Sequence, residues 1–316
     1  MEKISVGGQA VIEGVMMRAP NALAIAVRKP NGEVAVKEDV WLSLSQRLRF
    51  LKWPLIRGSV VLIETLINGF QALSFSANQA LREEKGQGKA EKKLSPWGLG
   101  LIMSVAFGIG ILFFVVLPHY LTGFLGGVFG QDLGVESFLF HLVDGVIKVF
   151  FFVGYIYAIS LMKNIQRIFQ YHGAEHKCIY AYEAGEELTV SNARKYSTLH
   201  PRCGTAFLLV VFIVSIILFS AIFPFLPRFP SLGKGITNLI YVGIKLPLLF
   251  PIAGLAYEVI KVSGKKPNHP ILKIIIAPGL WLQRMTTRSP VDDQIEVALR
   301  ALQGALRLES TQKAVL

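Results

Sequence analysis

The chain has 316 residues, of which 52% are hydrophobic and only 17% charged, and its mean hydropathy is +0.48. This composition excludes an ordinary water-soluble enzyme and predicts a mainly α membrane protein. The formal net charge is +12, but the basic residues are spread along the predicted helix ends and do not form one patch. We therefore expect contacts with the lipid bilayer and no nucleic-acid partner.

Residues 1–45 have the pattern of a small cytosolic β-rich module. The stretch ALAIAVRKPNGEVAVKEDV contains two β-type runs around Pro-Asn-Gly, which predicts a hairpin. Upstream, SVGGQAVIEGVMMR has strand character interrupted by glycines and lacks the apolar core of a secretory signal. A module of this size cannot hold a core alone, so we expect it to pack on the rest of the chain.

Glu13 and Arg18 lie in this glycine-rich stretch, which matches no phosphate-binding motif. The favoured interpretation of Glu13 is a surface acid at a strand turn. The alternative is that Glu13 approaches a metal site elsewhere in the cytosolic part.

Residues 46–96 combine an apolar helical stretch with a charged linker. The stretch 53–81 has helical periodicity but carries Arg57 and Glu64 in its first half. We expect an amphipathic interfacial helix here, and a fifth membrane span is the alternative. The sequence REEKGQGKAEKK over 82–93 predicts a flexible linker.

Residues 97–262 contain about four transmembrane helices. Each apolar run exceeds the roughly 20 residues needed to cross the hydrocarbon core. The second holds Asp144 and Lys148, an i,i+4 pair that neutralises itself unless it serves as a proton relay. Two prolines interrupt the fourth run. The runs cover 97–118, 138–162, 205–227 and 235–262.

The distribution of Lys and Arg orients these spans. Residues 1–96 carry fourteen, the 163–204 loop six and the segment 263–316 eight, whereas 119–137 carries none. Because basic residues stay on the cytoplasmic side, both termini and the 163–204 loop are predicted to be cytoplasmic in a multi-pass cell-membrane protein. The cytosolic segment 263–316 ends in a predicted amphipathic helix.

The 163–204 loop concentrates potential metal ligands. In YHGAEHK, His172, Glu175 and His176 share one helical face, and Cys178 points away. This H-x-x-E-H pattern occurs in zinc proteases, where two histidines bind metal and the glutamate takes a proton from water. The stretch HPRCG then adds His200 and Cys203 at short spacing.

Two geometries follow from these ligands. In a closed site, His172, His176, His200 and Cys203 would hold a structural Zn²⁺ or a similar divalent ion. In an open site, three protein ligands would leave one position for water, with Glu175 as the catalytic base. The third interpretation is that the histidines cap helices and that Cys203 is a buried apolar residue.

Glu258 is a further candidate ligand, 82 residues after His176 and at the cytosolic end of the fourth span. Reversed-motif zinc proteases take their third ligand from a downstream acid, and an isolated carboxylate is costly to desolvate. The alternative is a carboxylate in the lipid headgroup region that pairs loosely with Lys261.

Three stretches, GGQAVIEGVMMR, YHGAEHK and HPRCGT, appear in this order between hydrophobic spans. Together they resemble the YqhQ-like family, multi-pass membrane proteins commonly described as predicted metal-dependent enzymes. The resemblance covers nearly the whole chain. It implies metal contact at His172, His176 and His200, with Glu175 nearby.

Three functions are compatible with these patterns. The first is a zinc-dependent hydrolase, protease-like or amidase-like, that acts at the cytosolic membrane face. The second is a non-enzymatic scaffold for membrane-protein assembly or translocation, in which a structural zinc folds the 163–204 loop. A transporter is the third, supported by the charged and proline-broken helices alone.

Overall fold

The computed structural model describes residues 4–81, 96–130, 134–227, 231–265 and 269–315. The protein is mainly helical, with one antiparallel sheet near its N-terminus. The predicted linker over 82–93 lies outside the described residues.

The sheet contains four strands in the order β1-β2-β3-β4. The predicted hairpin around Pro-Asn-Gly is confirmed as the β3–β4 turn, in which the Lys29 amide donates to the Glu33 carbonyl over 2.8 Å. Gly32 has a φ of 86°, which a residue with a Cβ adopts only at a cost. The strands are β1 (Gly7–Val11), β2 (Gly14–Arg18), β3 (Ala22–Arg28) and β4 (Val34–Val40).

Helices make up most of the remaining described chain. In chain order they are α1 (Leu44–Arg47), α2 (Ile56–Leu81), α3 (Pro96–Ile111), α4 (Leu117–Val128), α5 (Phe138–Ser160), α6 (Lys163–Ala184), α7 (Val190–Arg194), α8 (Gly204–Ile222), α9 (Lys234–Lys265), α10 (Pro270–Thr286) and α11 (Asp292–Val315). A π-helical segment, Leu112–Val116, joins α3 to α4, and 3₁₀ turns occupy Arg49–Lys52 and Phe223–Phe225.

Five helical stretches are long and apolar enough to cross a membrane, one more than the sequence predicted. The additional stretch lies in α2, and α9 continues through both of its prolines. The five are Ile56–Gln79, Ser104–Val128, Phe138–Ser160, Gly204–Phe225 and Gly235–Ser263.

The sheet is buried on both faces between helices. One face packs on α6 and α11 through the alternating residues Val15, Met17, Ala24 and Ala26. The other face packs on α2, whose Ala72 and Phe75 meet Val11, Met16, Leu23, Ile25 and Val27. Burial on both faces explains why β3 is an almost continuous apolar run. The small β-module therefore obtains its core from distant helices.

Helix α2 connects the helical bundle to this sheet. Near its start, the Ser59 hydroxyl donates to the Phe250 carbonyl of α9 over 2.7 Å. Further along, Gly69 lies against the Gln9 side chain of β1, and a Cβ at Gly69 would come within 2.4 Å of it. Between these contacts, the buried Glu64 carboxylate accepts hydrogen bonds from Arg18 and Ser43. The second half of α2 is thus a layer of the sheet sandwich.

Helices α6 and α8 carry the predicted ligands to one place. Helix α6 begins three residues after α5 ends, and α8 begins at Gly204, directly after Cys203. The ligands therefore lie where α6, which packs on the sheet, meets the first turn of the apolar helix α8. Helix α10 packs on α8, where a Cβ at Gly279 would come within 2.6 Å of Ala206.

Candidate metal centre

Three predicted ligands converge at this junction. One ligand atom each from His172, His176 and Cys203 lies within 4.8 Å of the other two, a grouping that could hold a metal ion. The Cys203 Sγ is 3.2 Å from the His172 Nε2, and the two imidazole centroids are 4.4 Å apart. His172 and His176 come from successive turns of α6, whereas Cys203 is the residue before the first turn of α8.

Backbone carbonyls fix the orientation of both histidine rings. The Nδ1 of His172 donates to the Thr286 carbonyl over 2.8 Å, and the Nδ1 of His176 donates to the Thr198 carbonyl. A proton on Nδ1 leaves the Nε2 lone pair free, and this arrangement typically orients metal-ligating histidines. Burial lowers the pKa of His172, but Cys203 outweighs this effect and raises it to about 9, while His172 lowers the pKa of Cys203 although burial acts in the opposite direction. A thiolate and two imidazoles, with the His172 Nε2 proton released on binding, fit Zn²⁺ or a similar borderline-soft ion.

Gly173 makes the His172 contact possible. A Cβ there would lie 2.1 Å from the Arg288 carbonyl oxygen, so α6 approaches the chain after α10 more closely than any other residue type permits. The Arg288 amide also donates to the Phe169 carbonyl over 2.9 Å. This close approach brings the Thr286 carbonyl within reach of the His172 ring.

His200 lies next to this group but is not part of it. Its Nδ1 accepts from the Arg202 amide over 3.3 Å, and its Nε2 is 3.4 Å from a Glu183 carboxylate oxygen. The Gln283 side chain holds the His200 backbone with two hydrogen bonds, of 2.7 and 2.8 Å. Burial lowers the pKa of His200 to about 4, so its ring is neutral near pH 7. The predicted four-ligand set is therefore not assembled, because protein groups already engage both nitrogens of His200.

Glu175 lies on the same face of α6 and is buried, with 5% exposure. Its carboxyl group contacts β1 at Gly8, where a Cβ would lie within 2.8 Å of it. Burial raises the pKa of Glu175, although His176 and His172 act in the opposite direction. The glycine-rich GGQAV stretch is thus the strand that covers this carboxyl group.

Glu258 does not join the histidines. Both of its carboxylate oxygens accept hydrogen bonds from the guanidinium of Arg57, in α2. The structure therefore places Glu258 in a two-point ion pair with Arg57 and not among the grouped ligands. A partner 201 residues away cannot be found from helical spacing.

Glu13 also has a partner other than the metal group. Its carboxylate accepts two hydrogen bonds from Arg167, near the start of α6, and a weaker one of 3.3 Å from the Tyr171 hydroxyl. Its φ of 53° places it at the β1–β2 turn. Cys178 faces away, as predicted, and is buried with its Sγ 3.7 Å from the Ile295 carbonyl of α11.

The sequence does not reveal the groups that orient the three histidines, because most of these groups are backbone carbonyls. Any residue type can supply the Thr198 and Thr286 carbonyls, so the sequence carries no signal for them. The Gln283 side chain is different, because a buried amide on the apolar α10 is an unusual residue that could have been noticed.

Apolar helices of spanning length, a sheet enclosed by α2, α6 and α11, and a His-His-Cys group at their junction define a helical membrane protein with a candidate metal centre. A family described as "Protein of unknown function (DUF1385)" matches residues 53–308. The "Uncharacterized protein YqhQ" of Bacillus subtilis (strain 168) is 33% identical over 316 residues, covering 96% of this chain and 93% of that protein. The chain belongs to this YqhQ-like family, which confirms the resemblance of its motifs. No solved structure matches the chain.

Proposed function

We propose that this protein is a metal-dependent hydrolase that cleaves peptide or amide bonds at the cytosolic face of the membrane, with Zn²⁺ or a similar ion held by His172, His176 and Cys203. One observation carries the proposal: three protein ligands converge while the nearby His200 is engaged by Glu183 and Arg202. Four protein ligands are typical of structural zinc sites, whereas three are typical of catalytic ones.

The residues around this group suit hydrolysis. When bound there, the metal supplies Lewis-acid polarisation and lowers the pKa of water. Glu175 is the proton acceptor, and burial raises its pKa, which makes the carboxylate a stronger base. His172 and His176 hold their protons on Nδ1 against carbonyl oxygens, which keeps both Nε2 atoms available as ligands.

We expect Glu175→Gln to abolish cleavage while it retains the metal. Glutamine has nearly the same size but cannot accept the proton, so the rate should fall by about 10²- to 10⁴-fold. The measurement compares new protein N-termini, by mass spectrometry, in membranes from cells that carry the wild type or the variant. Glu187→Gln, at an exposed position three residues after the end of α6, is the matched control.

The same comparison tests the scaffold alternative. Cleavage products that are identical in Glu175→Gln and wild-type membranes, with metal content unchanged, would contradict the hydrolase and favour a structural metal in an assembly or translocation factor. Products that disappear in Glu175→Gln and persist in Glu187→Gln support the enzyme.

Cobalt substitution should reveal one thiolate ligand. The Co²⁺-loaded protein is expected to show a near-ultraviolet sulfur-to-cobalt charge-transfer band that Cys203→Ser removes. Cys178→Ser should keep the band, since that thiol lies between α6 and α11. His200→Ala should keep the band as well. Loss of cobalt in that variant would instead show that His200 is a ligand and would favour the four-ligand site.

We also propose that four of the five apolar stretches cross the membrane. The sheet packs on both α6 and α11, which supports placing all three on one side. An even number of crossings must then separate the sheet from α6, yet three apolar stretches lie between them. Helix α2 is the one that packs on the sheet, so it is the natural exception. The Lys and Arg distribution assigns this side to the cytoplasm.

Reporter fusions test this topology. A reporter after residue 130 should be extracytoplasmic, and reporters after residues 88 and 185 should be cytoplasmic. The fusion after residue 88 is decisive for α2, because an extracytoplasmic result there would mean that α2 crosses the membrane.

A further inference from the structure

A cluster of ionisable side chains lies deep among the apolar helices, away from the candidate metal centre. Both the Lys148 Nζ of α5 and the Lys245 Nζ of α9 donate to the same Oδ2 of Asp144, over 2.6 and 2.8 Å. The Lys245 Nζ is also 3.0 Å from the Nδ1 of His119, in α4. These four side chains are between 1% and 4% exposed. The predicted self-neutralising pair is thus a larger group to which α9 adds a second lysine.

The cluster has more positive charge than its one acid can balance. Among the described residues, two ammonium groups share one carboxylate, and the His119 nitrogen that faces Lys245 is an acceptor and therefore uncharged. Each ammonium has three N–H donors. After the bonds above, Lys148 retains two and Lys245 retains one. A buried net charge of +1 is costly without a counter-charge.

A cavity of about 150 Å³ lies beside the two lysines. Its remaining wall is almost entirely apolar and includes Phe114, Phe212 and Phe219. An apolar cavity of this size can accept a benzene-sized group. The cavity is therefore lined by two lysines, and most of the rest of its wall resembles hydrocarbon.

The π-helical segment Leu112–Val116 forms one side of this cavity through Phe114 and Val115. Such segments are rare and occur frequently at functional sites. Two of its other residues, Leu112 and Phe113, are exposed on the outer surface of the helices. One side of the segment thus faces the cavity, and the other side faces the surface that lipid would cover. Because only this helical segment lies between the cavity and the lipid, a ligand that arrives from the membrane is favoured.

We propose that this cavity binds one singly charged anionic amphiphile of the fatty-acid type. Its carboxylate would accept the free N–H donors of Lys148 and Lys245 and balance their excess charge. The adjoining carbons of its chain would lie against the phenylalanines. This site is independent of the metal chemistry, since it uses residues of α5, α8, α9 and the π-helical segment and none of the metal-centre residues.

Native mass spectrometry of the purified full-length protein in a neutral detergent tests the proposal, with oleate as the probe. We expect one bound oleate per wild-type chain, and at least tenfold less bound methyl oleate, which has the same chain but no charge. Lys245→Met and Lys148→Met should each reduce bound oleate at least tenfold. Lys273→Met, at an exposed position on the apolar α10, should leave it unchanged.

Asp144→Asn separates ligand binding from misfolding. It removes the carboxylate that competes for both ammonium groups, so it should bind oleate at least as tightly as the wild type. A loss in this variant equal to that in the lysine variants would overturn the proposal. Equal binding of methyl oleate, or displacement of oleate by millimolar chloride, would also overturn it, since the site would then recognise the chain alone or a small inorganic anion.

Discussion

Alanine at His172 or at His176 is expected to lower zinc affinity by roughly 100-fold or more, because either change removes one of three ligands that together supply most of the binding energy. Neither ring is needed to hold the sheet sandwich, which packs through other residues of α6. The variants should therefore remain folded and lose metal. The measurement is zinc content after purification without chelators, followed by titration with a zinc indicator.

The chain offers matched controls for this experiment. His269→Ala changes a histidine at the exposed start of α10 and should keep full metal content. His200→Ala should also retain metal, because Glu183 and Arg202 engage that ring. A wild-type protein that binds no zinc, cobalt or similar divalent ion would contradict the metal centre altogether.

Gly173→Ala is expected to lower both metal affinity and thermal stability. A Cβ at this position would lie 2.1 Å from the Arg288 carbonyl oxygen, a backbone atom that cannot rotate away. Overpacking of this kind typically costs about 1–3 kcal/mol. The chain after α10 must then move, which withdraws the Thr286 carbonyl from His172. Thermal unfolding and zinc titration of the same samples measure both effects.

Gly204→Ala is the control for this variant. Gly204 follows Cys203 directly, yet a Cβ there meets nothing within 4 Å. We expect unchanged metal affinity and a change in unfolding free energy of less than about 0.5 kcal/mol. If Gly173→Ala behaves like Gly204→Ala, the close approach of α6 to the 286–288 segment does not position the His172 ring.

The sequence predicted the local elements of this fold because their signals are local. Apolar runs longer than 20 residues predict helices long enough to cross a membrane, and Pro-Asn-Gly between apolar runs predicts a hairpin. The structure contains apolar helices of that length and the hairpin. The i,i+4 spacing of His172 and His176 placed them on one helical face. Each of these inferences depends on residues only a few positions apart.

Helix α2 shows where local signals fail. Its length and hydropathy match those of a membrane span, and by these measures it belongs with the other four stretches. The charged Arg57 and Glu64 in its first half favoured an interfacial helix, and the packing of Ala72 and Phe75 on the sheet is the further distinction. That packing depends on the alignment of strands from a different part of the chain, which no periodicity within α2 encodes.

The sequence by itself determined the membrane class, the hairpin, the helical face that carries His172, Glu175 and His176, and the direction of Cys178 away from that face. Only the tertiary structure decided which candidates meet. It brought Cys203 to the histidines, turned His200 toward Glu183, paired Glu258 with Arg57 and added Lys245 to Asp144. The physical reason is that a charged or ligating side chain is satisfied by whichever partner the packed helices bring within about 3 Å, and these partners lie 17 to 201 residues away in the chain.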